Sequence, residues 1–218
     1  MRVAVVGASG VVGRAAMTQL QMAGIEAVAI SRSPPDLAHT DFISLDLLDA
    51  AACEAAADAL SDVTHVIFAA LFEKPGLITG WREQDQMDTN LRMLTHFLDL
   101  ALSKASGLDH FALLQGTKAY GAHVKPMKIP GREREPRVDH PNFYWLQEDY
   151  LRQQQAAADW HFSIWRPQVV IGHGPGTPMN MLAAIGAYAA FCKFDQKPFC
   201  YPGGSNSPVE ATDADLLA

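Results

Sequence analysis

The sequence predicts a Rossmann-type α/β fold, a doubly wound parallel sheet with helices on both faces. Apolar runs of strand length alternate along the chain with longer segments of helical period. Most of those runs are continuously apolar, the pattern of strands covered on both sides. A glycine-rich turn separates the first run from the first helical segment.

The elements follow in order. Residues 3–6 read as the first strand, and 11–23 as a helix stopped by Gly24. Further strands are expected over 27–30, 42–45, 65–69, 111–114 and 162–165. Helices are expected over 50–60, 82–105 (stopped near Gly107), 143–158 and 179–191. Between 116 and 141, Pro126, Pro130, Pro136 and Pro141 forbid a continuous helix. That long loop leaves the carboxyl end of a strand, the edge where open parallel sheets bind ligands.

At 218 residues, 49% of them hydrophobic, the chain suffices for a single Rossmann-type domain over 1–218 with a large core. A formal charge of −7 argues against a nucleic-acid surface, which needs clustered Lys and Arg. No apolar run approaches the roughly 18 residues needed to span a membrane. The opening MRVAVVGASG reads as a strand rather than a leader, so a cytoplasmic location is expected. Cys53, Cys192 and Cys200 lack paired spacing and the eight histidines form no ligand pair, so no metal is expected.

The turn Gly7-Ala8-Ser9-Gly10-Val11-Val12-Gly13 has the spacing of a dinucleotide site. Gly7 permits the tight turn, Gly10 admits the pyrophosphate to the backbone, and Gly13 lets helix and strand approach. Ser9 and Val11 complete the cradle, where helix N–H groups meet phosphate. NAD enzymes place an acid at the end of the second strand, but here Ser31-Arg32-Ser33 follows and no acid appears until Asp36. Glu26 precedes the strand, at the wrong end. Arg32, helped by Ser31 and Ser33, suits a 2′-phosphate, so NADPH is favoured over NADH. Asp46, followed by Leu47, can accept from the adenine amine or cap the next helix, where Asp49 competes. Ala69, Ala70 and Leu71 form a small-residue edge against which a cofactor can lie.

A typical short-chain dehydrogenase carries Tyr-x-x-x-Lys on one helix. Here Glu148 stands four residues after Tyr144, so if a Tyr/Lys pair exists its lysine comes from elsewhere. Gly116-Thr117-Lys118-Ala119-Tyr120 follows the fifth strand and offers Lys118 at the same edge.

These residues carry a resemblance. Asn142-Phe143-Tyr144-Trp145-Leu146-Gln147-Glu148-Asp149 is similar to the Asn-Phe-Tyr-Tyr-x-x-Glu-Asp block of the progesterone 5β-reductase and iridoid synthase group, atypical short-chain dehydrogenases. Leu114–Tyr120 resembles that group's lysine block. Arg166–Gly172, Met179-Asn180 and Thr212–Leu216 resemble its later blocks. The resemblance runs through nearly the whole chain. It implies NADPH-dependent reduction of a C=C bond conjugated to a carbonyl, with hydride going to the β-carbon. Tyr144 would be the catalytic tyrosine and Lys118 its partner, with Gly116 beside them and Pro167 and Val169 against the nicotinamide end. Trp145 and Ala119 replace a tyrosine and a histidine of the group, and the segment from Lys118 to Tyr144 is shorter. The resemblance also implies that 170–218 is the start of a substrate-binding region that members of the group continue further, so the chain reads either as truncated or as a natural short form with an open site.

The expected partner is a small apolar enone or related carbonyl compound, with Phe72, Trp81, Tyr120, Trp145, His173 and Met179 as pocket candidates. A homodimer is compatible with the sequence. Two other functions stay open: carbonyl reduction or nucleotide-sugar epimerisation, disfavoured by the missing Tyr-x-x-x-Lys, and a non-catalytic dinucleotide sensor.

Overall fold

Six parallel strands carry the continuously apolar runs: β1 (Arg2–Val6), β2 (Glu26–Ser31), β3 (Asp41–Ser44), β4 (His65–Phe68), β5 (His110–Leu114) and β6 (His161–Trp165). The computed structural model describes residues 1–74, 80–174, 180–204 and 209–218. Within the sheet the order is β3-β2-β1-β4-β5-β6. The order reverses between β1 and β4, and that switch point opens a crevice at the carboxyl edge. Val6 pairs with Ile30 and with Phe68, so β1, β2 and β4 end level beside it.

Because strand residues alternate between faces, the sheet builds two cores. On one face Val6, Ile30, Phe68, Phe111 and Leu113 pack with Cys53, Leu94, Phe97 and Leu151. These last come from α2 (Ala50–Ala55), α3 (Gln84–Thr95) and its continuation, and α4 (Phe143–Gln155). On the other face Val3, Val5 and Ala29 pack with Ala16 and Met17 of α1 (Val11–Met22). Gly24, at φ +67, ends α1 as expected. Cover on this second face thins toward β6, where Ile67, Ala112, Leu114, Ser163 and Trp165 line a groove of about 290 Å³. Trp165 there is 51% exposed.

Helix boundaries depart from the periodic reading. α2 stops at Ala55, five residues short of the expected end, and tighter turns follow. Leu60 donates to Ala57 O and Val63 to Leu60 O, which draws Ala57, Leu60 and Val63 into the core. Helix α3 passes at His96 into a π-helical stretch (His96–Ala101), marked by the Leu102 N–H donating to Phe97 O at 3.0 Å. The wide turn places Leu94, Phe97 and Ala101 all out of solvent. Helical period carries through both segments in the sequence, so neither change of winding is visible there.

After β6 the chain adds a second sheet that the sequence reading did not anticipate. β7 (Val169–Ile171) pairs in parallel with β8 (Ala211–Asp213). Between them lies α5 (Met181–Phe194); the expected first residue of this helix, Met179, falls outside the described residues. A one-turn helix α6 (Ala214–Leu217) follows, capped by Asp213, whose carboxylate accepts from Asp215 N and Leu216 N. A Cβ at Gly172 would stand 2.5 Å from Ala214 Cβ and 3.0 Å from Val11 Cγ1. That close approach ties the second sheet to the start of α1. Among the described residues, no helix is long and apolar enough to cross a membrane.

Candidate functional site

The glycine turn leaves β1 at the switch point. Gly7 sits at φ +85, where its N–H donates to Ile30 O at 2.8 Å. A Cβ on Gly7 would lie 2.8–2.9 Å from the Ala69–Ala70 backbone, and one on Gly13 would lie 2.3 Å from Gly7 O. Three segments therefore meet with no room for side chains. Gly10 caps α1 without a side-chain bond, and Ser9 is exposed beside it. Helix α1 begins here with half-buried Val11, and the first-turn N–H groups of a helix have no partner within it, the arrangement that helix N-termini offer to anions. The donor set and the cramped backbone fit the pyrophosphate of a nicotinamide dinucleotide.

Next along the edge, the Ser31 hydroxyl donates to Ser33 O at 2.7 Å, and Ser44 donates to Arg32 O at 3.2 Å. These bonds shape a turn whose Arg32 and Ser33 side chains are exposed, and Arg32 has no ion pair among the described residues. Asp36 lies 3.9 Å from Arg14, and Glu26 pairs with Arg2 at the opposite end of the sheet. Asp49 takes the helix cap, accepting from Ala52 N at 3.0 Å. Asp46 is exposed and accepts from Leu48 N at 2.9 Å. Leu47 turns its side chain inward beside Asp46. Its side chain belongs to the core and its carbonyl meets His96 Nδ1 at 2.8 Å, so it offers a ligand no side chain. Ala69 and Ala70 are half-buried beside Gly7, and Leu71 is exposed.

The reactive half stands on β5, a 3₁₀ turn (Thr117–Tyr120) and α4. Asn142 caps α4 in an unusual way. Its Oδ1 accepts from Tyr144 N at 3.0 Å while its Nδ2 donates to Lys118 O at 2.8 Å. The Trp145 indole donates to Ala119 O at 2.9 Å, and the Gln115 amide donates to Tyr144 O at 2.7 Å. Tyr144 and Lys118 are thus locked together through the main chain, although they come from different elements. Trp145, expected in the pocket wall, is one of those clamps. Glu148 fixes the other end: it accepts from Arg166 at 2.7 Å and Arg152 at 2.9 Å, and Arg166 also donates to Gln115 Oε1 at 3.1 Å.

A Cβ on Gly116 would lie 3.4 Å from the Tyr144 hydroxyl and 3.3 Å from Pro167 O. Gly116, Tyr144 and Pro167 therefore converge at the carboxyl edge, with Val169 two residues on in β7. The Tyr144 ring meets the Trp81 ring edge-on at 5.0 Å, and buried Trp81, Phe143 and Tyr144 form a triangle of mutually contacting rings. Trp81, a pocket candidate, forms the floor of the site. The Lys118 ammonium sits 4.2 Å from the centre of the same Trp81 ring. It also lies 2.9 Å from Glu73 Oε1, which accepts from the Trp81 indole at 2.7 Å. Burial holds the Tyr144 hydroxyl above the ordinary phenol range, and the Glu73 charge adds to this. Among the other pocket candidates, Tyr120 lies under the Arg166 guanidinium, Phe72 and His173 are exposed, and Met179 is outside the described residues.

Residues 3–193 match the family model described as the NAD dependent epimerase/dehydratase family. The chain belongs to that family. Among curated relatives it is 30% identical over 232 residues to an (S)-8-oxocitronellyl enol synthase of Catharanthus roseus, covering 98% of this chain and 57% of that enzyme. It is 31% identical over 190 residues to a 3-oxo-Delta(4,5)-steroid 5-beta-reductase of Arabidopsis thaliana, covering 82% of this chain and 47% of that protein. The chain thus spans about half the length of these relatives. Among solved structures, UDP-glucose 4-epimerase from Bifidobacterium longum, in complex with NAD+ and UDP, superposes at TM-score 0.71 and 18% identity over 87% of this chain and 62% of that one. A short-chain dehydrogenase/reductase superfamily protein from Agrobacterium tumefaciens with bound NAD superposes at TM-score 0.67 and 19% identity, over 90% and 60%. At these identities the structural matches establish the fold, and the sequence relatives agree with the resemblance read from the Tyr144 and Lys118 blocks.

Sequence reasoning missed Glu73. An acid in a loop after a strand carries no spacing signal, and only the fold brings it under Lys118. Asn142 and Gln115 were within quoted blocks, but their work as clamps becomes visible only with the geometry.

Proposed function

We propose that this chain carries the site of an NADPH-dependent reductase acting on the C=C bond of an α,β-unsaturated carbonyl compound. The observation that carries the reading is the convergence of the Tyr144 hydroxyl with Gly116 and Pro167, beside Lys118, at the edge the glycine turn opens. The names of the two plant relatives, an enol synthase and a steroid 5-beta-reductase, support the same chemistry. On this reading 170–218 begins the substrate-binding region, and the substrate is a small apolar enone.

Gly7, Ser9, Gly10, Val11 and Gly13 would hold the pyrophosphate, Ser31, Arg32 and Ser33 the 2′-phosphate, Asp46 the adenine side, and Ala69, Ala70 and Leu71 the near wall. Pro167 and Val169 would present main chain to the nicotinamide. When bound, the cofactor supplies the hydride. The protein's own task is charge: as hydride reaches the β-carbon, negative charge gathers on the carbonyl oxygen. Tyr144 donates its hydroxyl to that oxygen where the charge develops, and the Lys118 ammonium adds a positive field. A proton then reaches the α-carbon to give the saturated carbonyl compound. Epimerisation or alcohol oxidation needs an ionised tyrosine as base. The raised Tyr144 hydroxyl disfavours that role and suits a neutral donor.

NADPH consumption with a panel of small enones, with product identification, tests the reading. Saturated carbonyl products are expected, with turnover falling about 10²–10³-fold in Tyr144→Phe and about tenfold or more in Lys118→Met. Allylic alcohols as products, or unchanged turnover in Tyr144→Phe, would sink it.

A further inference from the structure

Glu73 is the charged group of the site for which the proposed reaction has no stated task. Its side chain is only 11% exposed, yet it leaves the loop after β4 in an ordered way. Two amides of α3 hold the main chain on either side. Asn90 accepts from Phe72 N at 2.9 Å and donates to Phe72 O at 2.7 Å, while Gln86 accepts from Lys74 N at 3.0 Å. Both amides are fully buried. A Cβ at Gly80 would stand 2.6 Å from Gln86 Oε1, so the small residue there gives that amide its room. Buried amides are costly unless bonded, and here Asn90 and the Gln86 Oε1 bond the neighbours of a single acid, while Gln86 Nε2 is buried with no hydrogen-bond partner among the described residues. A carboxylate whose only task was solvation would need none of this.

We propose that Glu73 is a positioning residue, its carboxylate fixing the Lys118 ammonium on the Trp81 ring beside the Tyr144 phenol. The proposal deepens the reductase reading and rests on its roles for Tyr144 and Lys118. One carboxylate oxygen bonds both the ammonium, at 2.9 Å, and the indole, at 2.7 Å. Lys118 therefore meets Trp81 in one orientation rather than several, and its charge is balanced when no substrate is bound. The phenol consequently stays a protonated donor, kept that way by burial and by Glu73 itself. When enolate charge develops, the ammonium is already in place.

Other charged groups near this cluster are accounted for. Lys74, next to Glu73, is bound by Glu83 and Asp85. His123 tilts over Trp81 at 5.2 Å, with His140 behind it. Glu148 and Asp149, on the helix of Tyr144, are bound by Arg166 and Arg137.

Tyr144 ionisation is followed directly by phenolate absorbance in the folded chain, as the difference from Tyr144→Phe. This readout needs neither cofactor nor substrate. In Glu73→Gln the midpoint is expected to fall by about one pH unit or more, because the phenol loses a negative neighbour. Glu73→Asp should restore much of the shift. The alkaline limb of kcat/KM for an enone should move the same way. A shifted titration without enone turnover supports the placement and sinks only the reductase reading. An unchanged midpoint in folded Glu73→Gln overturns the proposal, as does Glu73→Asp behaving like Glu73→Gln. Should the glutamine variant fail to fold, the wild-type chain still decides. Its Lys118 ε-methylene protons must show an upfield ring-current shift from Trp81 in NMR spectra, and ordinary lysine positions would overturn the assignment.

Discussion

The two halves of the sheet's carboxyl edge are built from different materials. From β1 to β3 the candidate cofactor side is a backbone construction: Gly7, Gly10 and Gly13 leave room by having no side chain, and on the proposed reading N–H groups would do the binding. From β4 to β6 the reactive side is a side-chain construction, with Tyr144, Lys118, Trp81 and Glu73 drawn from separate elements and locked by Asn142, Gln115 and Trp145. The first kind tolerates no added atom but needs no partner. The second tolerates small changes of size but fails when one bond of its lock is lost.

The largest expected effect tests the backbone half. In Gly13→Ala the new methyl would lie 2.3 Å from Gly7 O and 2.8 Å from Gly7 C and Ala8 Cα, all of them backbone atoms of the turn rather than the end of a flexible side chain. Destabilisation on the order of 3 kcal/mol is expected in denaturant titration, with NADPH binding lost in calorimetry. A variant that folds and binds normally would show that the turn is looser than the geometry requires.

A smaller effect probes the lock of the reactive half. Asn142→Ala removes the cap on Tyr144 N and the bond to Lys118 O together. Helix capping alone predicts a loss of about 1 kcal/mol. Turnover should fall by about tenfold with NADPH affinity unchanged, since a misplaced donor acts on the transition state. If kcat holds while stability drops, Asn142 is only a cap, and the two halves are less distinct than described.

Arg32→Ala should act more weakly, because the side chain is exposed and its contacts are screened. A drop of about fivefold to tenfold in preference for NADPH over NADH is expected from kcat/KM ratios, within the strength of an exposed charge-assisted bond. An unchanged ratio would remove the assignment of the 2′-phosphate to the turn after β2.

What was legible in the sequence follows the same division. Glycine spacing marks the backbone half, because the constraint that selects glycine is local to one strand and one helix. Continuous apolar runs located all six strands of the main sheet to within a residue or two, since burial on both faces is a property of each run. The π-helical stretch after Thr95 and the early end of α2 were not legible, because helical period persists through a change of winding. Neither was the pairing of Val169–Ile171 with Ala211–Asp213, two three-residue strands forty residues apart. In the reactive half Tyr144 and Lys118 were found through a resemblance, not through spacing. Glu73 was not found, since its meaning depends on Lys118 lying 45 positions away.

The most direct test of the enone chemistry follows the hydride itself. NADPH carrying deuterium at the transferable position is incubated with a small enone, and the product is analysed by NMR. The expected result is a saturated carbonyl compound with deuterium at the β-carbon and none at the carbonyl carbon. Deuterium at the carbonyl carbon of an allylic alcohol would contradict it, and would make Tyr144 the acid of an ordinary carbonyl reductase.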